Sequence, residues 1–102
     1  MKVEQTTRDI LIDQIRKVYE EIDGLDSRIL GLWESELYNG EYDRAWVKVL
    51  EECLSVINLP AEDLPEIEDN DTNNLLEVKL KEAKRKRNEI YGDVVKRIVN
   101  YK

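Results

Sequence analysis

The strongest constraint on this chain is a run of apolar residues between positions 11 and 32. Leu11, Ile15, Val18, Ile22, Leu25, Ile29 and Leu32 recur at alternating steps of four and three. In heptad terms Ile15, Ile22 and Ile29 take the a positions, and the four others take the d positions. A helix with that stripe must bury it against a partner, in the same chain or in another. Ile12, Tyr19 and Trp33 fall on e positions and widen the stripe beyond a two-stranded zipper seam. The spacing therefore predicts a long helix of a bundle, over about residues 7–38. Thr6 or Thr7 can cap it, with Asp9 in the first turn, where the helix dipole favours negative charge. Residues 1–6 are polar and are expected to fray.

Gly24 interrupts the stretch at a cost of about 1 kcal/mol relative to Ala. The heptad phase survives it, so the helix is expected to be continuous. Gly24, Ser27 and Gly31 then make a small-residue patch away from the stripe, open to close approach by a second backbone. Asn39-Gly40 reads as the C-terminal stop, since both residues accept left-handed backbone angles. A second helix is expected over about residues 41–58. Its apolar face is Tyr42, Trp46, Val49, Leu50, Cys53 and Ile57, with Ala45 and Leu54 alongside, and Pro60 stops it. Cys53 lies within that face and reads as a small buried hydrophobe.

Residues 59–73 form an acidic connection, in which Leu59, Leu64 and Ile67 are expected to pin the chain to the bundle. A third helix is expected over about residues 74–100, opening on a capping box of Asn74 and Glu77. Its core register is Leu76, Leu80, Ala83, Arg87, Ile90, Val94, Ile98 and Tyr101. The expected fold class is all-α. One domain covers residues 1–102, a three-helix antiparallel bundle with a long heptad-patterned first helix. Because the first helix outruns the second, a homo-oligomer is also expected.

Charge narrows the function classes. Charged residues make up 38% of the 102-residue chain, against about 25% in ordinary globular proteins. They are unevenly placed, with 7 Lys/Arg against 19 Asp/Glu in residues 1–71 and 9 against 4 in residues 72–102. The net charge of −7 repels nucleic acid at long range. The basic run Lys79, Lys81, Lys84, Arg85, Lys86 and Arg87 is the candidate nucleic-acid surface. The competing reading is a helix face that pairs with the acidic connection beside it. The candidate partner-binding residues are the aromatics about the hairpin turn, Trp33, Tyr38, Tyr42 and Trp46. Trp46 is expected on the core side and Tyr38 exposed.

Residues 69–74, Asp-Asn-Asp-Thr-Asn-Asn, space their oxygens like the start of an EF-hand loop. The glycine at the sixth position and the bidentate Glu at the twelfth are missing. A cluster of turn and cap residues is the simpler explanation, and no metal or cofactor is expected. The chain has no histidine, no glycine-rich phosphate loop and no nucleophile motif, so an enzyme is not expected. No window approaches the ~18 apolar residues of a membrane span. One cysteine and no signal-peptide pattern point to the cytoplasm.

Two resemblances bear on function. Glu21-Ile22-Asp23-Gly24-Leu25-Asp26 through Leu32 resembles the first helix of AroQ-type chorismate mutases. Tyr19 and Glu36 stand where that family carries substrate-binding arginines, so the activity does not transfer. Residues 46–67 followed by 75–83 resemble the helix, Leu-Pro-x-Glu-Asp loop and helix of phage late-transcription coactivators, which implies a regulatory adaptor. The expected function is a small acidic protein–protein interaction module acting as a regulator, inhibitor or assembly adaptor. Its protein partner would carry a basic surface. The alternatives are a nucleic-acid-associated regulator and a structural coiled-coil subunit.

Overall fold

A computed structural model describes residues 6–61 and 63–101, so residues 1–5, Glu62 and Lys102 lie outside it. It contains α1 (Thr7–Tyr38), α2 (Arg44–Ala61) and α3 (Asn73–Tyr101), and no strand among the described residues. The fold class is all-α with three helices, as the periodicity implies. The long axis measures 56 Å, set by α1 at about 48 Å for its 32 residues.

α1 is capped by Thr6, whose Oγ1 accepts from the Asp9 N–H at 3.1 Å. The helix is continuous through Gly24. Ile22 is buried and Leu25 half-buried on either side of that glycine, so packing holds the helix where propensity is weak. Leu11, Ile15, Val18, Ile22 and Ile29 are buried, and Ile12, Tyr19 and Trp33 pack against them from the e positions. Leu32, however, is 48% exposed. A straight helix drifts about 20° per heptad away from a strict seven-residue repeat. By the end of α1 the contact line has moved from d to e, so Trp33 turns inward and Leu32 outward.

The hairpin turn is not built as its sequence suggests. No described residue, glycine or otherwise, has a positive φ. Asn39 is extended, at φ −79° and ψ 115°, and its N–H donates to the Glu36 carbonyl at 3.1 Å. Residues 41–43 are outside any helix. α2 begins at Arg44 because the Asp43 carboxylate caps it, accepting from the N–H groups of Ala45 and Trp46 at 3.0 and 3.2 Å. The Glu36 side chain braces the turn by accepting from the Asp43 N–H at 3.0 Å.

α2 buries Val47, Leu50, Cys53 and Ile57, with Trp46, Val49 and Leu54 at the flanks. Tyr42 and Ala45, expected on this face, are exposed. The helix runs one residue beyond Pro60, so the proline falls in its last turn, where a φ near −65° is still helical. Leu59 is 68% exposed at that end and pins nothing. α3 is capped by Thr72 instead of Asn74, through Leu75 N–H to Thr72 Oγ1 at 3.1 Å. That places Glu77 too far along for a capping box. The core register of α3 buries Leu76, Leu80, Ala83, Ile90 and Val94, and Ile98 is half-buried.

Paired contacts give the running sense of the helices. Trp33 meets Glu51 and Glu36 meets Asp43, so α2 returns along the C-terminal half of α1. Glu52 meets Arg97 and Trp46 meets Tyr101, so α3 runs opposite to α2. Glu21 meets Arg87, and Arg8 at the start of α1 meets the residues just before α3. α2, with 18 residues, spans only about 27 Å. The rest of α1 is walled by the connection. The Tyr19 hydroxyl donates to the Pro65 carbonyl, Leu64 and Ile67 pack on the core, and Arg8 donates to the carbonyls of Glu68, Asp69 and Asp71. The part of the stripe that α2 cannot reach is thus covered within one chain.

Candidate interaction surfaces

The six cations of the basic run have different surroundings. Lys79 donates to Asp71 Oδ2 at 2.7 Å and to the Glu66 carbonyl at 2.6 Å. Asp71 is 3% exposed, and its carboxylate also accepts from the Glu68 N–H at 2.8 Å. That backbone bond, and then the Lys79 ammonium, hold the Asp71 carboxyl below the usual carboxylate range. Lys86 donates to the Asp63 carbonyl at 2.8 Å. Arg87 pairs with Glu21 at 3.1 Å across to α1, and Arg85 pairs with Glu82 and Glu89 on its own helix. Lys81 and Lys84 are exposed and have no partner among the described residues. The run is therefore broken up by internal contacts and does not offer phosphates an unbroken row of cations.

The four candidate aromatics do not form one cluster. The ring pair among the described residues is Trp46 with Tyr101, at a centroid separation of 4.9 Å and an interplanar angle of 40°. The Tyr101 hydroxyl also donates to the Asp43 carboxylate. This bond raises the Tyr101 pKa and, as the largest of several causes, lowers that of Asp43. The last residue of α3 thus ties the start of α2. Trp33 is half-buried, and its Nε1 donates to Glu51 Oε1 at 3.2 Å. Tyr42 is 40% exposed and Tyr38 is 90% exposed, the most open of the four.

Residues 69–74 act as turn and cap. Glu68 and Asp71 close a turn through bonds in both directions, and Thr72 caps α3. No group of three or more metal-ligating side chains occurs among the described residues. Cys53 is fully buried, and burial pushes its thiol pKa up, which suits a packing role. No helix among the described residues is long and apolar enough to cross a membrane.

One surface was not singled out by the sequence. Where α1 and α3 run side by side, Glu21, Gly24, Leu25, Arg28, Tyr91, Val94 and Val95 line a groove of about 340 Å³. A Cβ placed on Gly24 would meet nothing within 4 Å, so the small residue leaves open space there. The Tyr91 hydroxyl donates to the Glu21 carbonyl at 3.2 Å, which holds the ring at the groove wall. Towards the other end of the same helix pair, Leu11, Glu77, Leu80, Lys81 and Lys84 line a second, more open depression. No family model, no curated protein and no solved structure matches this chain.

Proposed function

We propose that the chain is a small, non-enzymatic protein–protein interaction module that acts as a regulator, inhibitor or assembly adaptor. The observation that carries this reading is the α1/α3 groove itself, whose lining includes the exposed Val95, with further exposed apolar side chains along the same two helices. Leu32, Val95 and Val99 are 48%, 58% and 63% exposed. Exposed apolar patches rimmed by polar residues mark interaction surfaces and ligand-binding grooves. Tyr38 offers a further aromatic contact at the hairpin end. The internal engagement of Lys79, Arg85, Lys86 and Arg87 favours a protein partner over nucleic acid. The connection that walls the N-terminal half of α1 removes the reason to require a second copy, and favours a chain that is monomeric until it meets its partner. A structural coiled-coil subunit is correspondingly disfavoured.

Affinity capture from the native host, read by mass spectrometry, tests the proposal. At least one protein should be enriched by the wild-type chain and lost with Val95→Asp or Tyr38→Ala, both of which should melt as the wild type does. An identical set of captured proteins for all three, or none above background, would remove it.

A further inference from the structure

Along the groove the two helices leave charges unevenly satisfied. The Glu21 carboxylate is taken by Arg87 at 3.1 Å. Arg28, in the same groove, has no partner among the described residues. Lys81 and Lys84, at the second depression, have none either. Between the two depressions the helix pair is crossed by the Arg87–Glu21 ion pair and by the Tyr91 hydroxyl on the Glu21 carbonyl, and exposed apolar residues lie further along both helices. Val99 follows Val95 by one turn of α3, and Leu32 follows Leu25 by two turns of α1. From Leu11 to Leu32 this face runs about 32 Å along α1, the length of a helix of about 20 residues.

We infer that the α1/α3 face is a docking groove for an amphipathic helix with acidic flanks, which would complete a fourth position beside the three helices. This inference rests on the interaction-module reading above. Two depressions along a pair of helices that run in the same sense suit a helix laid over them, with its apolar anchors at helical spacing. Gly24 lets the incoming backbone come close. Glu77 lines the second depression beside Lys81 and Lys84, and the three cations outweigh it in selecting the partner's charge. Arg28 on one side, with Lys81 and Lys84 further along, would meet carboxylates flanking the apolar stripe of the incoming helix. A second copy docking through the same face would bring its own Arg28, Lys81 and Lys84, cation against cation, and is the poorer occupant. The face is a local exception in a chain with net charge −7, so its occupant is opposite in sign to the basic-surfaced partner that the overall charge implies, and is drawn to this groove and repelled elsewhere. Electrostatics of that kind fix where and in which register a partner binds.

Fluorescence anisotropy with the full chain tests this. The probes are a labelled synthetic peptide of about 20 residues with Leu at a and d positions and Glu on the flanks, the same peptide with Lys for Glu, and a labelled single-stranded DNA oligonucleotide. The acidic peptide should bind the wild type. Its affinity should fall by about 10-fold or more with Arg28→Glu and with Val95→Asp, and should be unchanged by Lys48→Glu, which alters an exposed cation on α2. Circular dichroism confirms that each variant is folded. The inference is overturned if the wild type does not bind the acidic peptide, or if either groove variant binds it as well as the wild type does. Equal binding of the Lys peptide overturns it, and so does displacement of the acidic peptide by the DNA. Should Tyr38→Ala weaken binding while Arg28→Glu and Val95→Asp do not, the interaction-module reading stands and the groove assignment falls.

Discussion

Replacing Ile15 by Ala probes how the N-terminal half of α1 is closed. Ile15 has no exposed surface and lies in the half of the helix that α2 does not reach. The change deletes three carbons. At about 0.8 kcal/mol each, the lost transfer free energy is about 2.4 kcal/mol. The cavity adds to this, and Ile→Ala changes in cores cost about 2–5 kcal/mol in all. One wall here is the non-helical connection carrying Leu64 and Ile67, which can settle into the void more readily than a helix can. We therefore expect about 3 kcal/mol. For a domain of this size that is a fall in Tm of about 12–24 °C, at about 4–8 °C per kcal/mol. Leu32→Ala deletes as many carbons from the same heptad pattern, but from a side chain that is 48% exposed. It should cost about 1 kcal/mol, with half the transfer term and no cavity. Thermal and urea melts of the two variants decide the matter. Equal costs would refute the drift of the contact line from d to e. An Ile15→Ala cost that shrinks as protein concentration rises would show that a second copy covers this half of α1.

Trp46→Ala, which removes a half-buried ring packed at a tilt against Tyr101, should destabilise by the low end of about 3–5 kcal/mol. Tyr38→Ala, at a ring 90% exposed, should change stability by no more than about 0.5 kcal/mol, and melts of both would show a reversal if the rings are misplaced. The Asp71 carboxyl is held below its ordinary value, so its contribution is fully present above the usual carboxylate pKa of about 3.9. It is lost as pH falls through the folded value. Asp71→Asn should therefore melt below the wild type at neutral pH, and the gap should close on acidification; a gap that persists at the lowest pH would count against the Lys79 and Glu68 contacts. With Lys81 and Lys84 the unpartnered cations of the basic run among the described residues, any DNA binding through it should fall with salt with a log–log slope of magnitude about 2. A slope of magnitude about 5 would restore the run as a nucleic-acid surface.

The bundle was legible because its information is periodic. Residues at steps of three and four must share a face whatever the rest of the chain does, and Leu76, Leu80, Ala83, Ile90 and Val94 lie buried as their spacing implies. The element ends were less legible because several residues compete for each cap. Asp69 to Asn74 are all eligible, and Thr72 prevails with Asp71 held beside it by Glu68 and Lys79. Asn39-Gly40 advertised a left-handed stop, yet the Asp43 cap and the Glu36 brace let the turn close without one. Pairing of the basic run with the acidic connection could be read from charge, but not which atoms would meet. Two of its lysines are satisfied by the carbonyls of Asp63 and Glu66, and a carbonyl has no sequence signature. The groove was invisible for a related reason. Its walls come from residues more than sixty positions apart, and it exists because none of the described residues covers that side.

Self-closure of the α1 stripe by the acidic connection is tested most directly by sedimentation equilibrium of the full chain across micromolar to submillimolar concentrations. A single species at the chain mass of 12.1 kDa is expected throughout. A concentration-dependent dimer that dissociates when Ile15 or Val18 is replaced by Ala would contradict it, because the stripe would then need a second copy.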